Sequence, residues 1–279
     1  MSELRFENIS KRFGKKQALN SVSGAFSEGI TALLGSNGAG KTTLMNIITT
    51  LLTPDNGNVT YNGTDVLTLQ KDYYSILSVQ FQTQPMYKSY TADEYLEFCG
   101  ALKGLDKKTV REQSTVLLQK FGIIDARKKK IRAFSGGMKQ RLALCGTFLG
   151  DPKIIILDEP SAGLDIYERE ELKNHLCTLK KECIIIISTH IVSDIENIAD
   201  RIILLKEGVV EAEGEQSELI EKLIGKVWQV PEEAELPSGV ASYHSDGRRI
   251  VICDESPCDG AVMKPADLTD VYFNSIAKR

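Results

Sequence analysis

One stretch of this chain, GSNGAGKTT, constrains its fold more than any other feature. It fits the pattern G-x-x-x-x-G-K-[ST], with Gly35, Gly40, Lys41 and Thr42 at the defining positions. Glycines allow a tight backbone turn in which successive N–H groups point inward at an anion. The lysine of such a loop reaches the outer phosphates of a nucleotide, and the hydroxyl that follows it ligates Mg²⁺. The stretch therefore predicts a phosphate-binding loop, called the phosphate loop below.

The residues on either side of the phosphate loop favour the same interpretation. The apolar run Ile30–Leu34 predicts a buried strand that leads into the loop, and Thr42–Thr50 predicts the helix that follows it. The N-terminus of such a helix attracts anions because its first backbone N–H groups are unpaired. We expect the phosphates to be held by the whole loop, which consists of Gly35, Ser36, Asn37, Gly38, Ala39, Gly40, Lys41, Thr42 and Thr43.

Beyond residue 150, apolar strands alternate with helices along the chain. The predicted strands are Ile154–Leu157, Ile184–Ile187 and Arg201–Leu205, and the predicted helices between them are Tyr167–Lys181 and Ile191–Ala199. Such alternation is typical of a parallel sheet that carries helices on its faces.

The region from Thr91 to Gly150 has a helical pattern instead. Thr91 and Glu94 have the spacing of a capping box, which fixes the first turn of a helix. The apolar residues that follow share one helical face; they are Tyr95, Leu96, Cys99 and Leu102.

The two ends of the chain differ from this middle part. Leu4–Phe6 and Val59–Tyr61 predict strands before and after the phosphate loop, and Glu215–Ile224 predicts a last helix, after which prolines and short β-like runs follow. We therefore expect an α/β fold: a phosphate-loop NTPase core with a mainly parallel sheet, an N-terminal antiparallel β part, a helical subdomain at about 91–150, and a small C-terminal α/β appendage. The predicted domains are residues 1–225 and residues 226–279.

Composition excludes several classes of protein. A formal net charge of -4 over 279 residues gives no reason to expect nucleic acid as a ligand. The apolar runs are far shorter than the about 20 residues that cross a bilayer, and the polar, charged N-terminus predicts no signal peptide. The 6 cysteines include no C-x-x-C pair, which argues against a metal site and favours reduced thiols.

A second motif, Ile154–Leu157 followed by Asp158 and Glu159, carries two acids. The apolar run predicts a buried strand, and the acids then emerge at its C-terminal end, where ligands bind in open α/β sheets. We expect Asp158 to hold Mg²⁺, directly or through water, and Glu159 to act as the general base that polarises an attacking water. Such a base contributes about 10²- to 10⁴-fold in rate.

A third motif is FSGGMKQR, in which Ser135 suits a helix N-cap and Gly136 and Gly137 leave N–H groups accessible. It predicts a second anion-binding helix N-terminus in the same chain. One nucleotide has no obvious need of two anion-binding helix N-termini. Either both act within one chain, or the second one in each chain completes the nucleotide site of a neighbouring chain.

The motif set resembles that of the nucleotide-binding subunits of ATP-binding cassette (ABC) transporters. The phosphate loop, a glutamine loop, the signature SGGMKQ, D-E-P, SAGLD and the histidine of STH occur in this order, over about residues 3–225. The resemblance implies an ATPase that uses ATP and Mg²⁺. It also implies a head-to-tail dimer that binds two ATP molecules, with each signature capping the γ-phosphate held by the other chain.

The resemblance assigns roles to two side chains near the nucleotide. Phe13, in SKRFG, matches the aromatic residue that stacks on adenine; a core position is the alternative for such a residue. Gln82 matches the glutamine that contacts magnesium or water and senses the membrane partner. Gln80 and Gln84 lie close by, and the spacing back from Thr91 favours Gln82.

Two more roles come from the resemblance. Ser161–Asp165, called the linking loop below, matches the loop that connects the two ATP sites, and Asp165 is its acidic residue. His190 matches the switch histidine that contacts the γ-phosphate. Phe134 stands where leucine is usual before the signature serine; the effect should be small because Ser135 and the glycines supply the donors.

The resemblance also implies partners and a place in the cell. It implies a separate integral membrane subunit that docks on the helical region and on the loop near Tyr87 and Tyr90, at the cytoplasmic face of the membrane. The final PADLTDVYF resembles the tails of bacterial drug- and antibiotic-export ATPases, which favours export. An ABC importer subunit is the alternative. A soluble ABC ATPase of translation or DNA repair is favoured less, because such proteins usually carry two cassettes in one chain and this chain has the motifs of one.

Overall fold

The computed structural model of the protein describes residues 2–82, 85–236, 240–245 and 247–277. At the N-terminal end lies an antiparallel sheet in the order β2-β1-β4-β5, which confirms the predicted antiparallel β part. Its strands are β1 (Glu3–Phe13), β2 (Lys16–Ser27), β4 (Asn56–Tyr61) and β5 (Thr64–Asp65).

The central sheet has the order β10-β9-β3-β8-β7-β6. Its strands are β3 (Gly29–Leu34), β6 (Leu77–Gln80), β7 (Ile154–Asp158), β8 (Ile184–Thr189), β9 (Arg201–Lys206) and β10 (Val209–Glu215). All neighbours pair in parallel except β10, which is antiparallel to β9. The mainly parallel sheet predicted from the alternating pattern is therefore confirmed.

Helices cover both faces of this sheet, and the sheet separates two apolar cores. The helices are α1 (Lys41–Ile48), α2 (Val66–Leu69), α3 (Lys71–Ile76), α4 (Ala92–Leu102), α5 (Lys107–Lys120), α6 (Gly136–Phe148), α7 (Ile166–Leu179), α8 (Gln216–Glu221) and α9 (Leu268–Ala277). In β7, Ile155 and Leu157 enter one core, and Ile154 and Ile156 enter the other. A strand buried on both faces reads as an uninterrupted apolar run. Within the described part of the chain, no helix is long and apolar enough to cross a membrane.

The predicted capping box is present at the start of the helical region. The Thr91 N–H donates to Glu94 Oε2 at 2.6 Å, and the Glu94 N–H donates to Thr91 Oγ1 at 3.2 Å. The predicted apolar face is wrong at its far end, since Leu102 is 72% exposed. Leu102 is the last residue of α4, and it points away from Gly100, since successive helical residues lie about 100° apart. Gly100 is the position that faces α5, where a Cβ would lie 2.2 Å from Val110 Cγ2.

The predicted helix Ile191–Ala199 does not form; this segment holds only a 3₁₀ turn at Val192–Asp194. A short segment forms a helix poorly unless tertiary contacts support it. Here the contacts favour another path, because Ile195 and Ile198 are buried in a core and the Asp194 carboxylate is bound by other side chains.

The C-terminal part is a second antiparallel sheet, in the order β12-β13-β11-β14, with α9 beside it. Its strands are β11 (Val227–Val230), β12 (Ala241–Ser245), β13 (Arg248–Ile252) and β14 (Val262–Met263). Helix α9 packs against α8, against β9 and against the 3₁₀ turn at Val192–Asp194. The six cysteines are free thiols in the structure.

Candidate functional site

The phosphate loop joins the end of β3 to the start of α1, where the sequence places it. Its backbone passes so close to neighbouring strands that two positions require glycine. A Cβ on Gly35 (φ 154°) would lie 2.4 Å from the Leu205 carbonyl oxygen, and a Cβ on Gly40 (φ 110°) would lie 2.7 Å from that of Ala18. Any side chain at these positions would push the loop away from the sheet.

Lys41, the first residue of α1, is buried inside the loop, with 7% of its surface exposed. Its Nζ donates to the carbonyl oxygens of Gly35 at 2.7 Å and Ser36 at 3.2 Å. Burial lowers the pKa of Lys41, while the charges of Glu159 and Asp158 oppose that shift. The ammonium group is therefore held by carbonyl oxygens of the loop, near enough to both carboxylates for their charges to act on it.

Those two carboxylates lie at the C-terminal end of β7, as the sequence predicts. Burial raises the pKa of Asp158; the Glu159 charge adds to this, whereas a hydrogen bond from Ser188 and the Lys41 charge oppose it. Glu159 has a φ of 50°, in the left-handed region that a non-glycine residue rarely adopts. Its N–H donates to the Ser188 carbonyl oxygen at 2.9 Å, which holds this strained conformation. Such strain is common at functional sites.

The Glu159 side chain is held from the neighbouring strand end. Its Oε1 lies 2.7 Å from His190 Nδ1, and its Oε2 accepts a hydrogen bond from Thr189 Oγ1 at 3.3 Å. Glu159 is 8% exposed, whereas the His190 side chain is 49% exposed. The imidazole therefore reaches from solvent to the buried carboxylate and can orient it.

A cavity of about 320 Å³ lies over the phosphate loop. Its lining residues are Phe13, Lys16, Ala18, Asn37, Gly38, Gly40, Lys41, Thr42, Thr43, Gln82, Asp158 and Glu159. Phe13, which is half exposed, stands at this cavity and not in a core. Lys16 and Ala18 were not predicted, because they reach the cavity through the fold of β2 and no motif marks them.

Not every predicted loop residue faces the cavity. Ala39 is buried beneath it, and Ser36 contributes its carbonyl oxygen to Lys41. Among the glutamines, Gln82 lines the cavity and Gln80 is fully buried in β6, while Gln84 lies outside the described residues. The geometry thus favours Gln82 over Gln80.

The second predicted anion-binding helix N-terminus, at the signature motif, lies elsewhere on the surface. Ser135 caps α6 by accepting a hydrogen bond from the Met138 N–H at 3.2 Å, and both Ser135 and Gly136 are exposed. A Cβ on Gly137 would lie 2.9 Å from the Gly163 carbonyl oxygen, so the helix start touches the linking loop. Among the described residues, the cavity lining includes neither Ser135 nor the two glycines.

The linking loop is fixed at its end by a capping box. The Glu168 N–H donates to Asp165 Oδ1 at 2.8 Å, and the Asp165 N–H donates to Glu168 Oε2 at 3.1 Å. Glu168 also pairs with Arg141 of α6 at 3.1 Å. Asp165 therefore caps the start of α7 beside α6, the helix that begins in the signature motif. It lies outside the cavity over the phosphate loop.

The described residues offer suitable ligands for Mg²⁺. Thr42, Gln82 and Asp158 line one cavity, and their hydroxyl, amide and carboxylate oxygens are the hard donors that Mg²⁺ prefers. The same cavity holds a lysine and backbone N–H groups for phosphate.

Comparison with known sequences agrees with this geometry. Residues 19–162 match the family model described as ABC transporter. The chain is 36% identical over 217 residues to the uncharacterized ABC transporter ATP-binding protein YxlF of Bacillus subtilis, covering 77% of this chain and 72% of that protein. It is 35% identical over 224 residues to the lantibiotic transport ATP-binding protein SrtF of Streptococcus pyogenes, covering 79% and 95%. It is 33% identical over 215 residues to the doxorubicin resistance ATP-binding protein DrrA of Mycobacterium tuberculosis, covering 76% and 65%.

Solved structures give the same result. The structure of an ATP-binding subunit of an ABC transporter superimposes with a TM-score of 0.74 at 28% identity, covering 78% of this chain and 92% of that one. The dimeric structure of MJ0796, a bacterial ABC transporter cassette, superimposes with a TM-score of 0.69 at 26% identity, covering 76% and 98%. These matches show that the chain belongs to the ABC transporter family, as an ATP-binding protein.

Proposed function

We propose that this chain binds ATP with Mg²⁺, hydrolyses it, and powers a separate membrane-embedded transporter. One observation supports this above all: the phosphate loop, Asp158 and Glu159 line a single cavity, and His190 holds the Glu159 carboxylate. In this arrangement Lys41 and the loop N–H groups bind the phosphates. Phe13 offers an aromatic face to the adenine.

In the proposed reaction a water oxygen attacks the γ-phosphorus, and the bond between that phosphorus and the ADP oxygen breaks. The proton of the water passes to the Glu159 carboxylate, which His190 and Thr189 keep oriented. Mg²⁺ would be held by Thr42, Gln82 and Asp158, and it supplies charge neutralisation for the phosphates.

We propose further that two chains act together, head to tail. Ser135 and Gly136 are exposed and Gly137 is partly exposed, and all three lie outside the cavity of their own chain. A neighbour's nucleotide is therefore the natural target of their N–H groups. Asp165 in the linking loop would then lie between the two sites. The dimeric cassette among the structural relatives supports this arrangement.

The proposed partner is an integral membrane subunit, with this chain bound peripherally at the cytoplasmic face and nucleic acid playing no part. An aromatic patch at the helical region, formed by Tyr87, Tyr90 and Phe98, suits such a contact. Tyr87 is 56% exposed, and its ring centroid lies 5.0 Å from that of Tyr90 and 5.6 Å from that of Phe98. We assign residues 1–225 to the ATPase domain and residues 226–279 to the appendage.

We propose export of drugs, peptides or similar molecules as the direction of transport. The relatives named for lantibiotic transport and doxorubicin resistance support this assignment. An ABC importer remains the alternative, and a soluble ABC ATPase without transport is the less favoured one.

The test is a mild-detergent pull-down of the tagged chain from its native membranes, with co-purifying proteins identified by mass spectrometry. A stoichiometric polytopic membrane protein, without a solute-binding protein, is the expected result. Tyr87→Asp should weaken its recovery, whereas Lys41→Ala, which alters the nucleotide cavity, should retain it. A solute-binding protein in the complex would favour import, and ribosomal or DNA-bound partners alone would refute the transporter assignment.

A further inference from the structure

One buried carboxylate, that of Asp194, is linked to both ends of the linking loop, directly at Ser161 and through Arg169 at Leu164. Asp194 is 8% exposed and Ser161 is 4% exposed. The Ser161 hydroxyl donates to Asp194 Oδ2, and Arg169 Nη1 donates to Asp194 Oδ1 at 3.3 Å. Arg169 Nε in turn donates to the Leu164 carbonyl oxygen at 3.2 Å. Asp194 therefore holds the start of the linking loop directly and its end through Arg169.

Asp194 also belongs to the segment that carries the switch histidine. Thr189 and His190 both contact the Glu159 carboxylate, and Thr189 Oγ1 accepts a hydrogen bond from the Ile191 N–H at 3.0 Å. The segment from Thr189 to Asp194 is thus attached at one end to Glu159 and at the other to the linking loop. Because Ser161 closely follows Glu159 in sequence, the two segments form a closed ring of contacts.

We propose that Asp194 is a positioning residue that couples the switch histidine to the linking loop. This inference rests on the proposed function, in which the linking loop lies between two nucleotide sites. Movement of His190 as its contact with Glu159 changes is transmitted through Asp194 to Ser161 and Arg169. The chemical state of one nucleotide site is thereby passed to the site in the other chain.

Two features argue that these contacts do more than stabilise the fold. The Arg169–Asp194 pair joins a buried carboxylate to a guanidinium whose side chain is 34% exposed. An ion pair of this kind adds little net stability, which favours a role for the pair in holding the geometry of the two loops. The 3₁₀ turn at Val192–Asp194 is also the place where α9 of the C-terminal part packs. Residues 226–279 therefore touch the element that would transmit the signal.

The test compares the full-length wild type with Asp194→Asn, Arg169→Gln and the double variant, in ATP affinity, kcat and cooperativity. We expect ATP to bind with unchanged affinity, because the phosphate loop is untouched. We expect kcat of Asp194→Asn to fall about 10- to 100-fold, as for a misplaced catalytic element, and the Hill coefficient to approach that of independent sites. The double variant should be no slower than Asp194→Asn, because both substitutions break one pathway.

Glu196→Gln is the matched control, since it removes a partly exposed carboxylate from the same segment; its kcat should equal that of the wild type. If Asp194→Asn keeps wild-type kcat and cooperativity, the inference is wrong. It is also wrong if the losses in kcat of Asp194→Asn and Arg169→Gln multiply in the double variant, as for independent sites. If Asp194→Asn does not fold, Ser161→Ala replaces it, since this variant leaves the charges of Arg169 and Asp194 paired. Its kcat and cooperativity are then compared with those of the wild type in the same way. A wild-type chain that does not hydrolyse ATP would instead refute the proposed function.

Discussion

His190 Nδ1 lies 2.7 Å from Glu159 Oε1, although the two residues come from the ends of different strands. The parallel pairing of β7 with β8 brings these ends together, since Asp158 pairs with Ser188. The same pairing lets the Glu159 N–H reach the Ser188 carbonyl oxygen and holds the left-handed backbone at Glu159. The sheet register therefore sets both the position and the orientation of the proposed base.

Glu159→Gln should remove the base without changing the size of the side chain. We expect ATP hydrolysis to fall by about 10²- to 10⁴-fold, because no group then accepts the proton of the attacking water. ATP binding should persist, and an ATP-dependent dimer should accumulate on gel filtration. Phosphate release by the variant at the wild-type rate would show that Glu159 is not the base. Glu112→Gln, on the exposed surface of α5, should behave as the wild type.

Lys41→Ala should abolish useful nucleotide binding. The buried ammonium group is the cation that points into the phosphate loop, and its removal leaves the phosphates without a charge-assisted donor. We expect the dissociation constant for ATP, measured by titration calorimetry, to rise at least about 100-fold. Lys16→Ala, at the rim of the same cavity on β2, should cause a smaller loss. Equal losses for the two lysines would contradict the special role of Lys41.

The motifs could be predicted from sequence because each acts through local geometry. The phosphate loop, the Ser135 N-cap and the acids after β7 depend on residues next to one another. Contacts that depend on the tertiary fold could not be predicted. Lys16 reaches the cavity only through the pairing of β2, and Asp194 meets Ser161 only because two loops adjoin. The same contacts replace the helix predicted at Ile191–Ala199.

Lys103 is another residue whose role only the structure reveals. It ends α4, and its Nζ donates to Ser78 Oγ at 2.8 Å and to the carbonyl oxygens of Gly146 and Thr147, each at 3.1 Å. Burial lowers the pKa of Lys103 to about 8. A cation at these carbonyls also suits the dipole at the C-terminal end of α6.

Lys103→Met should keep the aliphatic packing but leave these acceptors unpaired. We expect the free energy of unfolding to fall by about 1 to 3 kcal/mol, the cost of buried polar groups without partners. Urea unfolding followed by circular dichroism would measure the change. Lys108→Met, at an exposed position of α5, should change it by less than about 0.5 kcal/mol. A similar small effect at Lys103 would mean that water replaces the ammonium group at little cost.

His175 on α7 should make the stability of the protein depend on pH. Its ring packs edge-on against Phe121 and Phe148, and its Nδ1 lies 2.6 Å from Lys120 Nζ. Burial lowers the pKa of His175 to about 4, and the Lys120 charge adds to the shift. An unfolded histidine has a pKa of about 6.5. Between these values the unfolded chain binds a proton that the folded protein does not, so stability falls as the pH falls.

From about pH 7 to about pH 5, this residue alone should lower the free energy of unfolding by about 2 kcal/mol. His175→Gln offers Lys120 an acceptor that does not titrate, and it should remove this part of the pH dependence. Urea unfolding at the two pH values, with Asn174→Gln as an exposed neutral control on α7, would measure the difference. If His175→Gln keeps the wild-type difference while Asn174→Gln does too, the pH dependence arises at other groups.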